Sequence, residues 1–513
     1  MKRARILIAG LISMALALAG CGPSARDADE SAQSAAPPVV TPDTQDIPAG
    51  LDAYYTQEVS WEQCGSMWCA NVWVPMDYQD PMRASLSLRV KQKRAQSADA
   101  PILLINPGGP GGSGVDMMDQ AAFMFTRKLM DAYSVTGFDP RGVGQSTAVE
   151  CLSDHERDEF RSKTADPSTD EGAAETYRIM ADYTQKCIQK SGELLNYVGT
   201  ENAARDMDIL RAVVGGKSTL DYLGFSYGTL LGATYADLFP QRVGRFVLDG
   251  ALDPTISNID LARGQARGFE QALRAFVEDC QAGKGCPLTG DVDAGVGQVR
   301  ELLKSLQISP MPTSDSQRPL TYDLGMMGII VPLYSEDSWF MLAEGLRAAI
   351  KDKDGSMLLS FADMGAERNP DGTYKSNGDE AFVAIGCADN QSPEPLAKVR
   401  ADMDEFEKIS PTFGRSLGLE GMSCIGWPGH GANDQRPLKA TGSAPIVVVG
   451  TTGDPATIYE WSQALAQQLD NGHLLTFEGN GHTAYRASNS CVAEKIDAFL
   501  IDGTVPEEGA ICS

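Results

Sequence analysis

The chain contains 513 residues, of which 42% are hydrophobic and 22% are charged, so it can form large buried cores and is not globally disordered. Its 69 acidic and 43 basic residues give a net charge of −26, which repels a phosphate backbone and argues against nucleic-acid binding. The length predicts roughly two to four domain-sized units.

Residues 1–20 have the pattern of a signal peptide, in which basic residues precede an apolar run. Ala19 and Gly20 then come directly before Cys21, which resembles a bacterial lipobox. In a lipobox the cysteine is diacylated and becomes the first residue of the mature chain, and two acyl chains are enough for stable anchoring. We therefore expect Cys21 to carry palmitate-type lipid and to anchor the protein to the extracytoplasmic face of the cell membrane. Ordinary secretion with an incidental cysteine is the alternative.

Residues 21–50 are rich in Ala, Ser, Asp and Pro and show no apolar period, which predicts a flexible tether. Beyond the signal peptide, the sequence has no run close to the ~18 to 20 apolar residues that a membrane span needs.

Short apolar runs that precede glycines or turn residues predict buried parallel strands. These runs occupy residues 102–106, 133–138, 219–225, 245–248, 445–450 and 473–477. Helical patterns lie between them, for example at 227–239 and 458–469. Strands that alternate with helices predict an α/β protein with a mostly parallel central sheet and helices on both faces.

The first of these strands is followed by a glycine-rich segment, Asn106-Pro107-Gly108-Gly109-Pro110-Gly111-Gly112-Ser113-Gly114. Backbone amides in such a turn can bind an anion, either a phosphate or the oxyanion of a tetrahedral intermediate. A phosphate loop is disfavoured because no G-K-[ST] sequence follows. We assign the N–H of Gly109 to an oxyanion hole, with Gly108 as the alternative.

Ser226 is the candidate nucleophile, at the centre of the G-x-S-x-G sequence Gly224-Phe225-Ser226-Tyr227-Gly228. An apolar strand precedes it and a helix rich in small residues follows, which is the arrangement of a nucleophile elbow. The N–H of Tyr227 is then the expected second donor of the oxyanion hole. A second G-x-S-x-G surrounds Ser416, but no strand precedes it, so we interpret it as a chance match.

The alternation of strands and helices is interrupted between residues 253 and 441, where the pattern is mainly helical. We predict a helical cap domain at 253–441, inserted between two parts of the sheet domain at 51–252 and 442–513. Within the cap, Ser416 is not expected to take part in catalysis.

His482 is the candidate general base, because it lies among glycines directly after the last predicted strand. Asp454 follows the preceding strand and is the candidate for the acid that orients the histidine. It could instead cap the helix that Pro455 begins, and Asp249, after an earlier strand, is the rival acid. The chain order Ser226, Asp454, His482 is that of α/β-hydrolases.

Apart from Cys21, the chain has ten cysteines, an even number that suits an oxidising compartment. They lie in local pairs, and we propose five disulfides: Cys64–Cys69, Cys151–Cys187, Cys280–Cys286, Cys387–Cys424 and Cys491–Cys512. A metal site is disfavoured, because the sequence contains no C-x-x-C. It has only four histidines, which are His155, His430, His473 and His482.

Four motifs together resemble the tripeptidyl aminopeptidase branch of the prolyl aminopeptidase-like α/β-hydrolases. They are the glycine-rich segment at 106–114, the sequence Gly137-Phe138-Asp139-Pro140-Arg141-Gly142-Val143-Gly144, the elbow at Ser226, and Asp454 with His482. The resemblance covers about residues 51–513 and includes exported actinobacterial lipoproteins, some of them described as carboxylesterases. Pro107 stands where the prolyl aminopeptidase pattern H-G-G-P-G has its histidine, so proline specificity is not implied.

This resemblance implies an α/β-hydrolase core with a helical cap, the triad Ser226, Asp454 and His482, and exopeptidase action from free N-termini without a metal or cofactor. It also implies acidic cap residues that bind the substrate ammonium group. Asp389, held near Cys387, is the candidate, although it could be a surface loop charge. We expect a serine exopeptidase that releases short peptides, in particular tripeptides. A carboxylesterase acting on cell-envelope or lipid esters and a non-catalytic peptide-binding lipoprotein are the alternatives.

Overall fold

The computed structural model of the protein describes residues 37–163, 169–390, 394–429 and 435–513. The expected signal peptide, Cys21, residues 21–36 of the expected tether and His430 lie outside the described residues. Residues 37–50 of the expected tether contact the body of the protein, where Asp43 forms an ion pair with the buried Arg211 at 2.5 Å, so the prediction of a flexible tether is wrong for this part. Within the described ranges, no helix combines the length and the apolar character needed to cross a membrane.

A single sheet of ten strands runs through the described part of the chain. The strands are β1 (Glu62–Cys64), β2 (Met67–Pro75), β3 (Ser85–Lys93), β4 (Ile102–Asn106), β5 (Ser134–Phe138), β6 (Leu220–Phe225), β7 (Val243–Asp249), β8 (Ile446–Gly453), β9 (Gly472–Asn480) and β10 (Ile511–Cys512). Their spatial order is β1-β2-β3-β5-β4-β6-β7-β8-β9-β10. The neighbouring strands β1-β2-β3-β5 pair antiparallel, and the neighbouring strands β5-β4-β6-β7-β8-β9-β10 pair parallel. The prediction of a mostly parallel sheet is therefore confirmed.

The six predicted strands correspond to β4 through β9, whereas β1, β2, β3 and the two-residue β10 were not predicted. In β3, Leu86, Leu88 and Val90 are buried and the residues between them are partly exposed. This alternation is that of an antiparallel strand with one covered face. A search for continuous apolar runs does not detect such a strand.

Helices cover both faces of the sheet. Before β7 they are α1 (Asp52–Tyr55), α2 (Gly114–Met117), α3 (Ala121–Met124), α4 (Arg127–Ala132), α5 (Asp154–Ser162), α6 (Asp170–Ser191), α7 (Thr200–Leu210) and α8 (Tyr227–Leu238). Between β7 and β8 they are α9 (Asn258–Ala282), α10 (Val292–Ile308), α11 (Tyr322–Leu333), α12 (Trp339–Arg347), α13 (Ser356–Gly365), α14 (Gly378–Asp389), α15 (Leu396–Ile409) and α16 (Gly414–Leu417). After β8 they are α17 (Tyr459–Gln468) and α18 (Ser490–Asp502).

The helices between β7 and β8 build a hydrophobic core of their own, to which α9 through α13 contribute Leu273, Phe276, Leu303, Ile329, Leu342 and Leu358. The two faces of the sheet carry separate cores. The inserted helical cap of an α/β-hydrolase is therefore confirmed, while its exact boundaries at 253 and 441 stay a prediction.

A second insertion adds to this helical layer. Helix α6, between β5 and β6, packs Met180 and Ala181 against a small core that contains Val399 and Met403 of α15. The sequence analysis assigned α6 to the sheet domain, because its amphipathic pattern does not indicate which neighbour covers it.

Five disulfides join the pairs that the spacing suggested: Cys64–Cys69, Cys151–Cys187, Cys280–Cys286, Cys387–Cys424 and Cys491–Cys512. The fourth ties the end of α14 to the segment that leads toward β8. The fifth ties α18 to β10, the strand that pairs with β9.

Candidate active site

Ser226 occupies the sharp turn between β6 and α8. Its φ of 54° and ψ of −124° are in a region that side-chain-bearing residues rarely adopt. Such a conformation costs about 1–3 kcal/mol and persists where the surroundings impose it, typically at functional sites. One of the imposing contacts is the amide of Ser226, which donates to the carbonyl of Asp249 at 2.9 Å. The serine therefore sits in a strained elbow at the carboxyl end of a central strand.

The glycine-rich loop after β4 lies directly against this elbow. A Cβ at Gly108 would be 2.5 Å from the carbonyl oxygen of Phe225 and 2.8 Å from the Cβ of Ser226. Gly108 also has a φ of 98°. A side chain at this position would therefore separate the loop from the nucleophile, and only glycine permits the observed approach.

His482 follows β9 and contacts Asp454, which follows β8. The Nδ1 atom lies 2.9 Å from each carboxylate oxygen of Asp454. Burial lowers the pKa of His482, but the charge and hydrogen bond of Asp454, together with the charge of Asp249, outweigh it and raise that pKa above its ordinary value. The contact fixes the ring so that Nδ1 carries the hydrogen and Nε2 is the free basic nitrogen.

Asp454 also shapes its own turn. Its Oδ1 accepts the amides of Ala456 and Thr457 at 2.9 and 2.8 Å, and its Oδ2 accepts the Thr457 hydroxyl at 3.0 Å. Helix α17 begins later, at Tyr459, so Asp454 is not its N-cap. The bonds to residues 456 and 457 form an Asx-type turn that holds the carboxylate beside the histidine.

Asp249, the rival acid, makes no hydrogen bond to the imidazole. It is fully buried, and its carboxylate accepts the amides of Ala484, at 3.0 Å, and Tyr485, at 2.7 Å. Burial raises the pKa of Asp249 to about 6, although the two amides lower it. Asp249 thus supports the loop after His482 rather than the ring itself.

The hydrogen bonds distinguish Gly109 from Gly108, the two candidates for the oxyanion donor in the glycine-rich loop. The amide of Gly108 donates to the side-chain oxygen of Asn106 at 2.9 Å, so it is already used. The amides of Gly109 and Tyr227 have no acceptor among the residues that the structure describes. These two free N–H groups, on either side of Ser226, are available for a developing oxyanion.

Asp139, in the motif that begins at the end of β5, braces the glycine-rich loop. One oxygen accepts the Ser113 hydroxyl at 2.6 Å and the Val115 amide at 3.1 Å, and the other accepts the Gln145 amide at 2.8 Å. Burial raises the pKa of Asp139. The carboxylate therefore joins the end of the glycine-rich segment to the turn that follows β5.

Arg141 of the same motif serves the fold. It is fully buried and forms a two-pronged ion pair with Asp206 of α7, at 2.7 and 2.5 Å. Its remaining donors bond to the carbonyls of Pro75, Met76 and Tyr197. A paired and fully hydrogen-bonded arginine of this kind fixes the relative positions of the segments it contacts.

Two contacts of the cap lie beside His482 and beside the glycine-rich loop. The carbonyl of Tyr334, after α11, accepts the amide of His482 at 2.8 Å, and its ring packs edge-on against the imidazole at 5.4 Å. Burial and the charge of Asp454 raise the pKa of Tyr334 to about 12. On the other side, a Cβ at Gly111 would be 2.5 Å from the carbonyl of Gly378, where α14 begins.

Asp389 lies at the end of α14 and is not a surface charge, since it is 6% exposed. Its oxygens accept the amide of Thr200 at 2.7 Å and the hydroxyl of Thr200 at 2.5 Å. The Thr200 hydroxyl in turn lies 2.5 Å from the hydroxyl of Tyr227, the residue after Ser226. Burial raises the pKa of Asp389 to about 6. Its binding of a substrate ammonium stays a prediction.

The other sequence candidates lie apart from these contacts. Ser416 bonds to the hydroxyl of Tyr322 at 3.1 Å, and within the described ranges no histidine or carboxylate bonds to it. His155 is exposed on α5 beside Glu159. His473 bonds to Asn471 at the start of β9.

Sequence reasoning missed Thr457, Tyr334 and the loop-holding role of Asp249. The spacing Asp454-x-x-Thr457 is a signal for an Asx-type turn and could have indicated Thr457. Tyr334 has no such signal, because the sequence does not reveal which cap segment reaches His482.

A strained serine after a central strand, with a histidine and its acid after later strands in the order of the chain, defines an α/β-hydrolase of the serine hydrolase class. The family model described as TAP-like protein matches residues 410–512. Serine protease Hip1 of Mycobacterium tuberculosis is 36% identical over 477 residues, 89% of this chain and 91% of its own.

Two further relatives cover most of the chain. Carboxylesterase B of Mycobacterium tuberculosis is 34% identical and covers 100% of this chain and 99% of its own. Tripeptidyl aminopeptidase of Streptomyces lividans is 28% identical and covers 89% of this chain and 86% of its own. The chain belongs to the TAP-like family of α/β-hydrolases, and it is a serine hydrolase.

Proposed function

We propose that Ser226, His482 and Asp454 form the catalytic triad. Ser226 attacks the substrate carbonyl while His482 takes its proton, and His482 then gives that proton to the leaving group. Asp454 keeps the imidazole in the required tautomer and stabilises its cation. The free amides of Tyr227 and Gly109 stabilise the oxyanion, and water hydrolyses the acyl-enzyme in a second round of the same steps.

The single observation that carries this proposal is the contact of His482 Nδ1 with both oxygens of Asp454, at 2.9 Å each, in a fold that places Ser226 in a strained elbow. The matched test uses the two serines of the two G-x-S-x-G sequences. Ser226→Ala should abolish labelling by a fluorophosphonate, and Ser416→Ala should leave labelling intact. Labelling that survives Ser226→Ala would overturn the assignment, and a wild type that is not labelled would favour a non-catalytic peptide-binding protein.

We further propose that the enzyme is an exopeptidase that releases short peptides, tripeptides in particular, from free N-termini. Relatives that carry the names serine protease and tripeptidyl aminopeptidase support a peptide substrate. The Thr200 hydroxyl connects the buried carboxylate of Asp389 to the hydroxyl of Tyr227. A negative charge so close to Ser226 suits a positively charged ammonium group, which supports the proposal.

The experiment compares free tripeptide anilides with the same compounds acetylated at the N-terminus. We expect kcat/KM for the free peptides to exceed that for the blocked ones by about 100-fold or more, the size of the penalty for removing a buried charge partner. Equal rates would contradict the aminopeptidase proposal. The relative named carboxylesterase B favours a second candidate, ester hydrolysis, which p-nitrophenyl acyl esters in the same assay would reveal.

The lipid anchor is part of the proposal as well. Expressed with its own leader in an actinobacterial host, the wild type should fractionate with the membrane and incorporate a palmitate analogue. Cys21→Ser should remove the label and shift the protein out of the membrane fraction. A wild-type protein that is unlabelled and released into the medium would indicate ordinary secretion.

A further inference from the structure

Asp249 ends β7, the strand that lies between β6, which precedes Ser226, and β8, which precedes Asp454. Its backbone carbonyl accepts the amide of Ser226 at 2.9 Å. Its side chain accepts the amides of Ala484 and Tyr485, two and three residues after His482. One residue therefore contacts the backbone of both the candidate nucleophile and the loop that carries the candidate base.

The setting of Asp249 is costly for a group that serves the fold alone. The carboxylate is 0% exposed, and no lysine or arginine in the described part of the chain forms an ion pair with it. The charged groups that act on it are His482, which favours its ionised form, and Asp454, which disfavours it. A buried carboxylate without a cationic partner is destabilising, and two backbone amides compensate for that cost only in part.

We infer that Asp249 is a positioning residue, whose carboxylate fixes the backbone after His482 and whose carbonyl fixes Ser226, so that the two reacting groups stay in register. This inference rests on the proposed triad. Asp249 makes no hydrogen bond to the imidazole, so it acts through the loop at 484–485 and through its charge. That charge contributes to the raised pKa of His482, after the larger effect of Asp454.

Asp249→Asn tests the inference, because it removes the charge and replaces one accepting oxygen by an NH₂ group. That NH₂ group would face a backbone N–H of Ala484 or Tyr485, which also needs an acceptor. We expect kcat to fall by about 10-fold or more while KM changes less than about 3-fold, since misplacing the base affects the transition state and not substrate binding. The acid limb of the kcat/KM profile should also move to lower pH, because His482 loses a neighbouring negative charge. A folded variant with wild-type kcat and an unchanged profile would overturn the inference.

Asp221→Asn is the matched control. Asp221 is a largely buried carboxylate on β6 whose pKa is also raised by burial, and it accepts the amide of Arg245 at 2.7 Å. It lies at the beginning of that strand, whereas Ser226 follows the end. We expect this variant to lose stability but to keep kcat and the pH profile. Equal losses of kcat in both variants would indicate a general effect of buried charge and would overturn the inference.

If Asp249→Asn does not fold, amide hydrogen exchange of the wild type decides. The amides of Ala484 and Tyr485 should be protected as strongly as those of β8, although they belong to a loop. Rapid exchange at both would overturn the inference. Ser226→Ala distinguishes failure of the proposed triad from failure of the positioning role. Fluorophosphonate labelling that survives Ser226→Ala would contradict the triad. An inactive Ser226→Ala together with a fully active Asp249→Asn would contradict only the positioning role of Asp249.

Discussion

The Nδ1 atom of His482 lies 2.9 Å from each of the two carboxylate oxygens of Asp454. The same carboxylate accepts hydrogen bonds from the backbone amides of Ala456 and Thr457. The acid is thus anchored from one side and orients the ring on the other. An orientation that is imposed by the main chain persists when a substrate displaces water from the site.

Asp454→Asn should therefore lower kcat by about 10³- to 10⁴-fold with little change in stability. The asparagine oxygen can still accept the amides of Ala456 and Thr457, but its NH₂ group would face Nδ1 and favour the tautomer with hydrogen on Nε2. Steady-state kinetics and thermal unfolding measure the two effects. Activity within about tenfold of the wild type would contradict the role of Asp454.

The pH dependence follows from the raised pKa of His482. Only the neutral imidazole can accept the serine proton, so activity is lost as the pH falls through that pKa. Because the pKa is raised, the acid limb of kcat/KM should have its midpoint above the ordinary value of 6.5. In Asp454→Asn the midpoint of the residual activity should move down. A wild-type midpoint well below 6.5 would contradict the charge balance around the ring.

Gly108→Ala should lower kcat by about 10²-fold or more, the cost of losing an oxyanion-hole donor. The added methyl group would collide with the carbonyl of Phe225 and push the loop, with the amide of Gly109, away from Ser226. Gly65→Ala is the matched control, because Gly65 also has a positive φ, 67°, but has no neighbour within 4 Å of its Cβ position. It should strain the backbone to a smaller degree, without a steric collision, and keep kcat, and a comparable loss in both variants would contradict the prediction.

Removal of the disulfide Cys387–Cys424 should destabilise the protein more than removal of Cys280–Cys286. The first closes a loop with a sequence separation of 37 and the second one of 6. Chain entropy then predicts losses of about 4 and about 2 kcal/mol for the two double serine variants. Denaturant unfolding measures both. The reverse order would show that loop entropy does not govern these bonds.

The sequence predicts the parallel strands, the order of the triad candidates and the cysteine pairs because each of these has a local pattern. Residues 102–105 and 446–449 are continuous apolar runs, and Ser226 lies in a short motif between a strand and a helix. Strand β3, which lies between β2 and β5, was missed because its apolar and polar residues alternate and its burial depends on neighbours distant in the sequence.

The supporting contacts were not predictable in the same way. Gly108 and Gly109 are adjacent glycines of one loop, and only the position of the Asn106 side chain decides which amide stays free. Asp249 is the last residue of β7 and Asp454 directly follows β8, so both lie where a strand ends. What separates them is a three-dimensional fact, namely that one carboxylate reaches a ring and the other reaches a backbone.

The hydrogen bond from the amide of His482 to the carbonyl of Tyr334 makes the cap a part of the machinery that holds the base. If residues 334–336 moved away from the sheet when a substrate binds, His482 would lose this hydrogen bond. We therefore expect this segment to stay in place when substrate enters, and an exchange of the neighbouring cap helices to change substrate choice without disturbing proton transfer.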